Sequence, residues 1–410
     1  MSLESLRTHT EQKITSLLRQ IEEIKSSEFP HEDSKLALVE LANGIRLWHQ
    51  ILRKVPSPAD GQLILDVCTR ANLDVFRLLP ILGFILRSTN VRNSFEFFDP
   101  LKRLARQLLG DNAKLILSSE WYFSPMTYPM TVKELPDFAL IGLPASESEN
   151  ALIIPLAGHE LGHSVWRKLK LEDKLKVPIQ NRIRTLFLNN WTSYEVEFGP
   201  SDKSTIDSDL QIFANRSEAF NFALSQCAEI FCDLLGIRIF GESFLHAFQY
   251  LLAPGSGRVR SVKYPKIKQR VVYMTNAMPH FGLTSSRDFT SVFQDEKPIG
   301  DKKTIFKLEM ADKAAEETIP DLLKEIDNIA QEKMLPKVDK NQSEEIARSF
   351  RVGVPCDGPR NLADIIQAGW LETYDSAEKP DGHPLEHFKG LNEILFKSIE
   401  VSEYWTRINR

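Results

Sequence analysis

Residues 155–166 read Pro-Leu-Ala-Gly-His-Glu-Leu-Gly-His-Ser-Val-Trp, and this stretch governs how the rest of the chain is read. Pro155 suits the first turn of a helix, and the pattern predicts a helix running past Trp166. His159 and His163, four residues apart, then lie one above the other on one face, so both imidazoles reach a single tetrahedral Zn2+. Glu160 is turned about 100° around the helix from His159. That is a poor position for a third ligand but a good one for a general base acting on a zinc-bound water. Gly162, without a side chain, allows close packing beneath the metal. The bland alternative is a chance match on an ordinary amphipathic helix. With nine His in the chain, a shuffled sequence shows the pattern roughly once in a hundred times.

A catalytic zinc takes three protein ligands and keeps one position open. The third is sought downstream, in a long helix expected from about 211 to 235 and stopped by Gly236. There Cys227-Ala-Glu-Ile-Phe-Cys-Asp233 places Glu229 and Asp233 on one face of an otherwise apolar helix. A buried acidic pair is expensive unless a metal and a histidine N–H compensate it. Glu229 is therefore assigned as the third ligand, and Asp233 as the carboxylate that accepts a hydrogen bond from a ligand His and fixes its tautomer. The competing reading has both acids on a solvated face. Cys227 and Cys232, which bracket Glu229, are candidate soft metal ligands, but their five-residue spacing turns them apart on a helix and favours buried structural thiols. His383-Pro-Leu-Glu-His387 formally fits an inverted zinc pattern, but its polar, proline-interrupted setting favours a surface helix start.

Working outward, residues 1 to about 110 read as helices. Leu38, Leu41, Ile45, Trp48 and Leu52 form one stripe, Asp33 or Ser34 is the candidate cap, and Pro56 and Pro58 mark a break. KLIL (114–117) and FALIGL (138–143) read as strands, with an irregular aromatic and proline-rich segment between them. Residues 189–210 are polar and acidic and read as a surface loop. Arg258, Arg260, Lys263, Lys266, Lys268 and Arg270 form a basic segment, read as a solvated loop. From about 291 to the end the chain is helical. The expected organisation is α+β and mostly helical: a helical region 1–110, a core 111–290 with a small sheet, and a helical region 291–410.

HExxH followed by ExxxD resembles the gluzincin metallopeptidases. Tyr264-Pro-Lys-Ile-Lys-Gln-Arg270-Val is similar to the His-Pro-x-x-x-x-Arg-Ile segment of the integral-membrane CAAX-prenyl and HtpX-type proteases. The resemblance covers about residues 138 to 275. It implies a zincin-like catalytic core, one Zn2+ per chain, and Arg270 packed against the metal-binding core. Tyr264 replaces the family histidine beside the substrate carbonyl, and its hydroxyl is expected to donate to an oxyanion. In gluzincins a strand upstream of the metal helix aligns the peptide by backbone pairing, a role that falls here on Ala139, Leu140, Ile141 and Gly142.

Composition narrows the setting. The chain has 410 residues and a formal net charge of -5, so nothing asks for nucleic acid. The longest apolar run, 78–86, is too short to span a bilayer, unlike the membrane relatives. Met1 to Gln20 lacks the apolar core of a signal peptide, and four cysteines in no disulfide-like spacing point to the cytoplasm. The expectation is thus a zinc metallopeptidase without a membrane span, acting on a peptide or protein, with helical flanks that gate access or hold a protein partner. The alternatives are a non-catalytic zinc scaffold or regulator, which has no need of Glu160, and a zinc hydrolase for a non-peptide substrate.

Overall fold

The structure, a computed structural model, describes residues 3–55, 61–89, 95–121, 126–127, 134–255, 259–285, 287–297, 299–377 and 384–409. Pro56, Pro58, Arg258 and His383 lie outside them. The architecture is α+β and mostly helical, as the sequence pattern indicates. It divides into two compact units, Met1–Arg106 with Gly110–Ser148, and Gln107–Leu109 with Glu149–Arg410.

The first unit is built from α1 (Leu3–Lys25), α2 (Glu32–Lys54), α3 (Gly61–Arg87), α4 (Phe95–Leu109), β1 (Lys114–Glu120), β2 (Met126–Thr127) and β3 (Phe138–Pro144). Ile14, Leu17 and Ile21 of α1, Leu38, Leu41 and Ile45 of α2 and Leu78, Ile81 and Ile85 of α3 share one core with Ile116 and Leu140 of the sheet. The helices thus spend their apolar stripes on the strands, which joins the sheet to the N-terminal helices in one unit. Asp33, a candidate cap from sequence, is buried in the first turn of α2. Its carboxylate accepts the Leu115 N–H at 3.0 Å and Lys102 Nζ at 2.9 Å, fastening α2 to β1.

The strand order is β1-β3-β2. β3 pairs in parallel with β1 along its length and antiparallel with β2 at Ile141 and Gly142. The sequence expectation needed β3 to offer a free edge to an extended peptide. As the middle strand it has both sides taken at Ile141 and Gly142, and Ala139, Leu140, Ile141 and Gly142 are all buried. Its continuous apolar run reflects burial on both faces.

The second unit comprises α5 (Leu156–Lys168), α6 (Leu171–Asn189), α7 (Trp191–Phe198), α8 (Leu210–Phe240), α9 (Glu242–Leu252), α10 (Ile267–Ala277), α11 (Lys302–Glu332), α12 (Lys340–Arg351), α13 (Leu362–Ala377) and α14 (Pro384–Ile408). α8 is its axis, packed by α5, α6, α9, α10, α11 and α13. Every residue from Glu229 to Phe240 is buried. Asp209 caps α8 by accepting the N–H groups of Gln211 and Ile212.

Two expectations change here. The segment 189–210 contains α7, because Trp191, Tyr194 and Phe198 fall at helical spacing: Tyr194 stacks on both Trp191 and Phe198, and Phe306 meets Tyr194 and Phe198 edge-on. α8 also runs through Gly236 to Phe240 and is stopped by Gly241, whose φ is +62°. Gly236 serves packing: a Cβ there would come within 2.3 Å of the Phe244 ring.

Candidate metal centre

α5 is set in place from its N-terminal side. The Asn392 side chain accepts the Ala151 N–H at 2.7 Å and Trp370 Nε1 donates to the Leu152 carbonyl at 3.1 Å, tying the turn before α5 to α14 and α13. Pro155 precedes the first helical residue in an αR conformation. α5 then crosses α8 on small residues. A Cβ on Gly162 would lie 2.9 Å from the Cys232 Cα, and one on Gly158 would lie 3.5 Å from the Gly236 Cα. The two glycines of the GHELG stretch let the helix backbones approach closely enough for the histidines to meet the acids of α8.

His159 and His163 stand with ring centroids 4.9 Å apart and planes at 84°. His159 Nδ1 is 2.8 Å from Asp233 Oδ1. Its Nε2 is 3.3 Å from Glu229 Oε2, and His163 Nε2 is 3.7 Å from Glu229 Oε1. Arg270 donates to Asp233 through Nε at 2.7 Å and Nη2 at 2.8 Å, a two-pronged pair inside the protein. Its guanidinium carbon lies 5.0 Å from the Phe248 ring centroid and 5.7 Å from that of Tyr264. The structure therefore brings together His159, His163, Glu229, Asp233, Arg270 and Tyr264. Glu160 is buried beside them, and its charge acts on the Tyr264 hydroxyl and on Arg167.

The electrostatics follow from this packing. Burial alone raises the Asp233 carboxyl, but Arg270 and His159 overcome it and hold it at about 2. Burial lowers His159, yet Asp233 and Glu229 outweigh it and lift the ring to about 10. His163, dominated by burial and the neighbouring His159, falls to about 4 and is a neutral imidazole at pH 7. Glu229 is raised by burial and lowered more by the His159 ring, so it stays ionised. The Tyr264 hydroxyl is pushed up by the Glu229 charge first and by burial second, which keeps it a donor.

Whether a metal suits these residues is decided by Glu229. Its buried Oε2 meets no full hydrogen-bond geometry and faces His159 Nε2 at 3.3 Å and Arg270 Nη2 at 3.8 Å, so a buried negative charge points at the rings where a cation would be held. Two ligand atoms about 2.1 Å from a tetrahedral zinc lie about 3.4 Å apart. Each imidazole has one carboxylate oxygen near that spacing, Oε2 at 3.3 Å from His159 Nε2 and Oε1 at 3.7 Å from His163 Nε2. The donor set of two imidazoles and a carboxylate also suits zinc.

The sequence reading missed one neighbour. Phe248, from α9, packs against Arg270; its only signal was a place in an apolar helix. Cys232, weighed from sequence as a soft ligand and read as a buried thiol, is buried, and it shares with His159 and His163 a group whose ligand atoms all lie within 4.8 Å of one another. The cysteine spacing obscured this, because what brings Cys232 to the histidines is the absence of a side chain at Gly162.

Compared with known protein families, with curated proteins and with solved structures, the chain shows no match. No helix among the described residues is long and apolar enough to cross a membrane.

Proposed function

We propose that the chain is a zinc-dependent metallopeptidase of gluzincin type, with His159, His163 and Glu229 holding one Zn2+ and Glu160 as general base. The observation that supports this reading is the buried Glu229 carboxylate facing both imidazoles, its Oε2 3.3 Å from His159 Nε2 and its Oε1 3.7 Å from His163 Nε2. A structural zinc closes its fourth position with a further protein ligand, whereas two His and a Glu leave one open. The intact Glu160 beside that position favours an enzyme over a scaffold.

When bound, zinc supplies Lewis acidity that polarises the scissile carbonyl and acidifies the attacking water. The chain's residues do the rest. Glu160 takes a proton from the water as its oxygen attacks the carbonyl carbon, and returns it to the amine nitrogen as the C–N bond breaks. The Tyr264 hydroxyl, held protonated by the nearby Glu229 charge, donates a hydrogen bond to the developing oxyanion. Asp233 accepts the His159 Nδ1–H and presents Nε2 to the metal. Arg270 neutralises Asp233, so the acid cannot draw the proton off the ring.

The substrate in this reading is a peptide or protein, met through a narrow cleft, and the setting is the cytoplasm, which accords with four cysteines free of disulfides. Zinc-loaded wild type and Glu160→Gln, incubated with a mixed peptide library and read by mass spectrometry, test it. Cleavage by wild type alone supports the reading. Equal cleavage by Glu160→Gln removes the general base, and an intact library with zinc-loaded wild type removes the peptidase assignment.

A further inference from the structure

We propose that this centre carries two alternative third ligands and that the softness of the ion selects between them: the Glu229 carboxylate for zinc, and the Cys232 thiolate for thiophilic cations such as Cd2+. The inference rests on the metal-centre reading above and adds a second coordination state to it.

Glu229 and Cys232 are three residues apart on α8, about 60° around the helix from each other, and both flank the histidines of α5. Glu229 already stands with one oxygen 3.3 Å and the other 3.7 Å from the two Nε2 atoms, each near the separation a bound zinc requires. Cys232 is 0% exposed and its Sγ lies 3.0 Å from the point a Gly162 Cβ would occupy. It therefore faces the residue between the two histidines, and its sulfur shares the 4.8 Å group with them. A tetrahedral site with a metal–sulfur bond of about 2.3 Å and metal–nitrogen bonds of about 2.1 Å needs sulfur and nitrogen about 3.5 Å apart.

These distances order the two states. The carboxylate already places one oxygen beside each imidazole, so a borderline ion draws on it with little movement. The thiol must close by up to about 1 Å toward the rings and lose its proton, which only a strong metal–sulfur bond repays. In that step the Sγ–H bond breaks and the Sγ–metal bond forms. The proton passes to the solvent buffer, and nothing is oxidised or reduced.

The test titrates metal-free wild type, Cys232→Ser, Cys232→Ala and Glu229→Ala with Cd2+, and with Co2+ as a visible stand-in for zinc. One equivalent of Cd2+ should produce a thiolate-to-metal charge-transfer band in the ultraviolet in wild type and in Glu229→Ala, and none in either Cys232 variant. Cd2+ affinity should fall about tenfold or more in Cys232→Ala, while Zn2+ affinity stays within about twofold. Co2+ should give the same visible bands in wild type and Cys232→Ala. Cys232→Ala covers the case in which a buried serine fails to fold. Bound Cd2+ without a thiolate band, or a band that persists in both Cys232 variants, overturns the second ligand and leaves the zinc centre standing. Wild type that binds neither ion overturns both.

Discussion

The His159 Nδ1 atom lies 2.8 Å from Asp233 Oδ1, and the same carboxylate is gripped by Arg270 through bonds of 2.7 and 2.8 Å. All three side chains are buried, and with the neighbouring Glu229 carboxylate the ring, the acid and the guanidinium form one buried ionic unit. It directs Nε2 of His159 toward Glu229, and the proposed metal binding depends on that direction.

Removing the acid should therefore act on the metal through the ring. Asp233→Asn is expected to weaken zinc binding about 10- to 100-fold, measured by competition with a chromogenic chelator. Arg270→Met leaves Asp233 buried without its partner, and should destabilise the metal-free protein by about 3–5 kcal/mol in urea unfolding. Unchanged zinc affinity in Asp233→Asn would show that the acid does not orient the ring.

The approach of α5 to α8 makes a separate prediction. A methyl on Gly162 meets the Cys232 Cα at 2.9 Å, a backbone atom that yields only if the helices part. Gly162→Ala should cost about 1–3 kcal/mol and also lower zinc affinity, since the histidines retreat from Glu229. Full stability and full affinity together would refute the close contact.

Protons should accompany the metal. In the metal-free site His159 is lifted to about 10 and His163 is held at about 4. At pH 7, then, one of the two rings carries a proton that must leave Nε2 before the metal binds. Zinc addition is expected to release about one proton per chain, and the logarithm of the apparent affinity to rise by about one per pH unit between pH 5 and 9. A weakly buffered indicator titration measures the release, and its absence would mean that His159 is neutral beforehand.

Far from the metal, His246 governs acid sensitivity. It stacks on Trp370 with ring centroids 5.1 Å apart and contacts Phe289, and burial, with the Arg287 charge, lowers its pKa to about 3. A folded value below the ordinary one near 6.5 gives stability that is complete above pH 6.5 and erodes as the pH falls toward 3. His246→Phe should thus lose less stability than wild type between pH 6.5 and 4, measured by urea unfolding at each pH. Parallel curves would remove His246 from that limb.

What the sequence disclosed follows the reach of each signal. The spacing of His159 and His163, and of Glu229 and Asp233, is local helical geometry, and the two pairs meet in the structure. The stripe of α2 was legible for the same reason: Leu38, Leu41, Ile45 and Leu52 are buried. α7 was hidden by its acidic surroundings, since three aromatics at helical spacing weigh less than a polar composition over 22 residues of text. The middle position of β3 depends on β2, a two-residue strand too short to show any pattern. Gly236 illustrates a general ambiguity: glycine ends helices and also admits neighbours, and only the Phe244 ring distinguishes the two roles. Cys232 is buried as its apolar surroundings indicate, but its closeness to the histidines depends on a glycine in another helix and could not be read locally.

The central claim is that Glu229 completes a zinc site with His159 and His163. Metal analysis of wild type, His159→Ala and Glu229→Ala, each loaded with excess zinc and exhaustively desalted, tests it most directly. The account predicts about one zinc per chain in wild type and a small fraction of that in both variants. Full zinc occupancy in Glu229→Ala, or none in wild type, would contradict it.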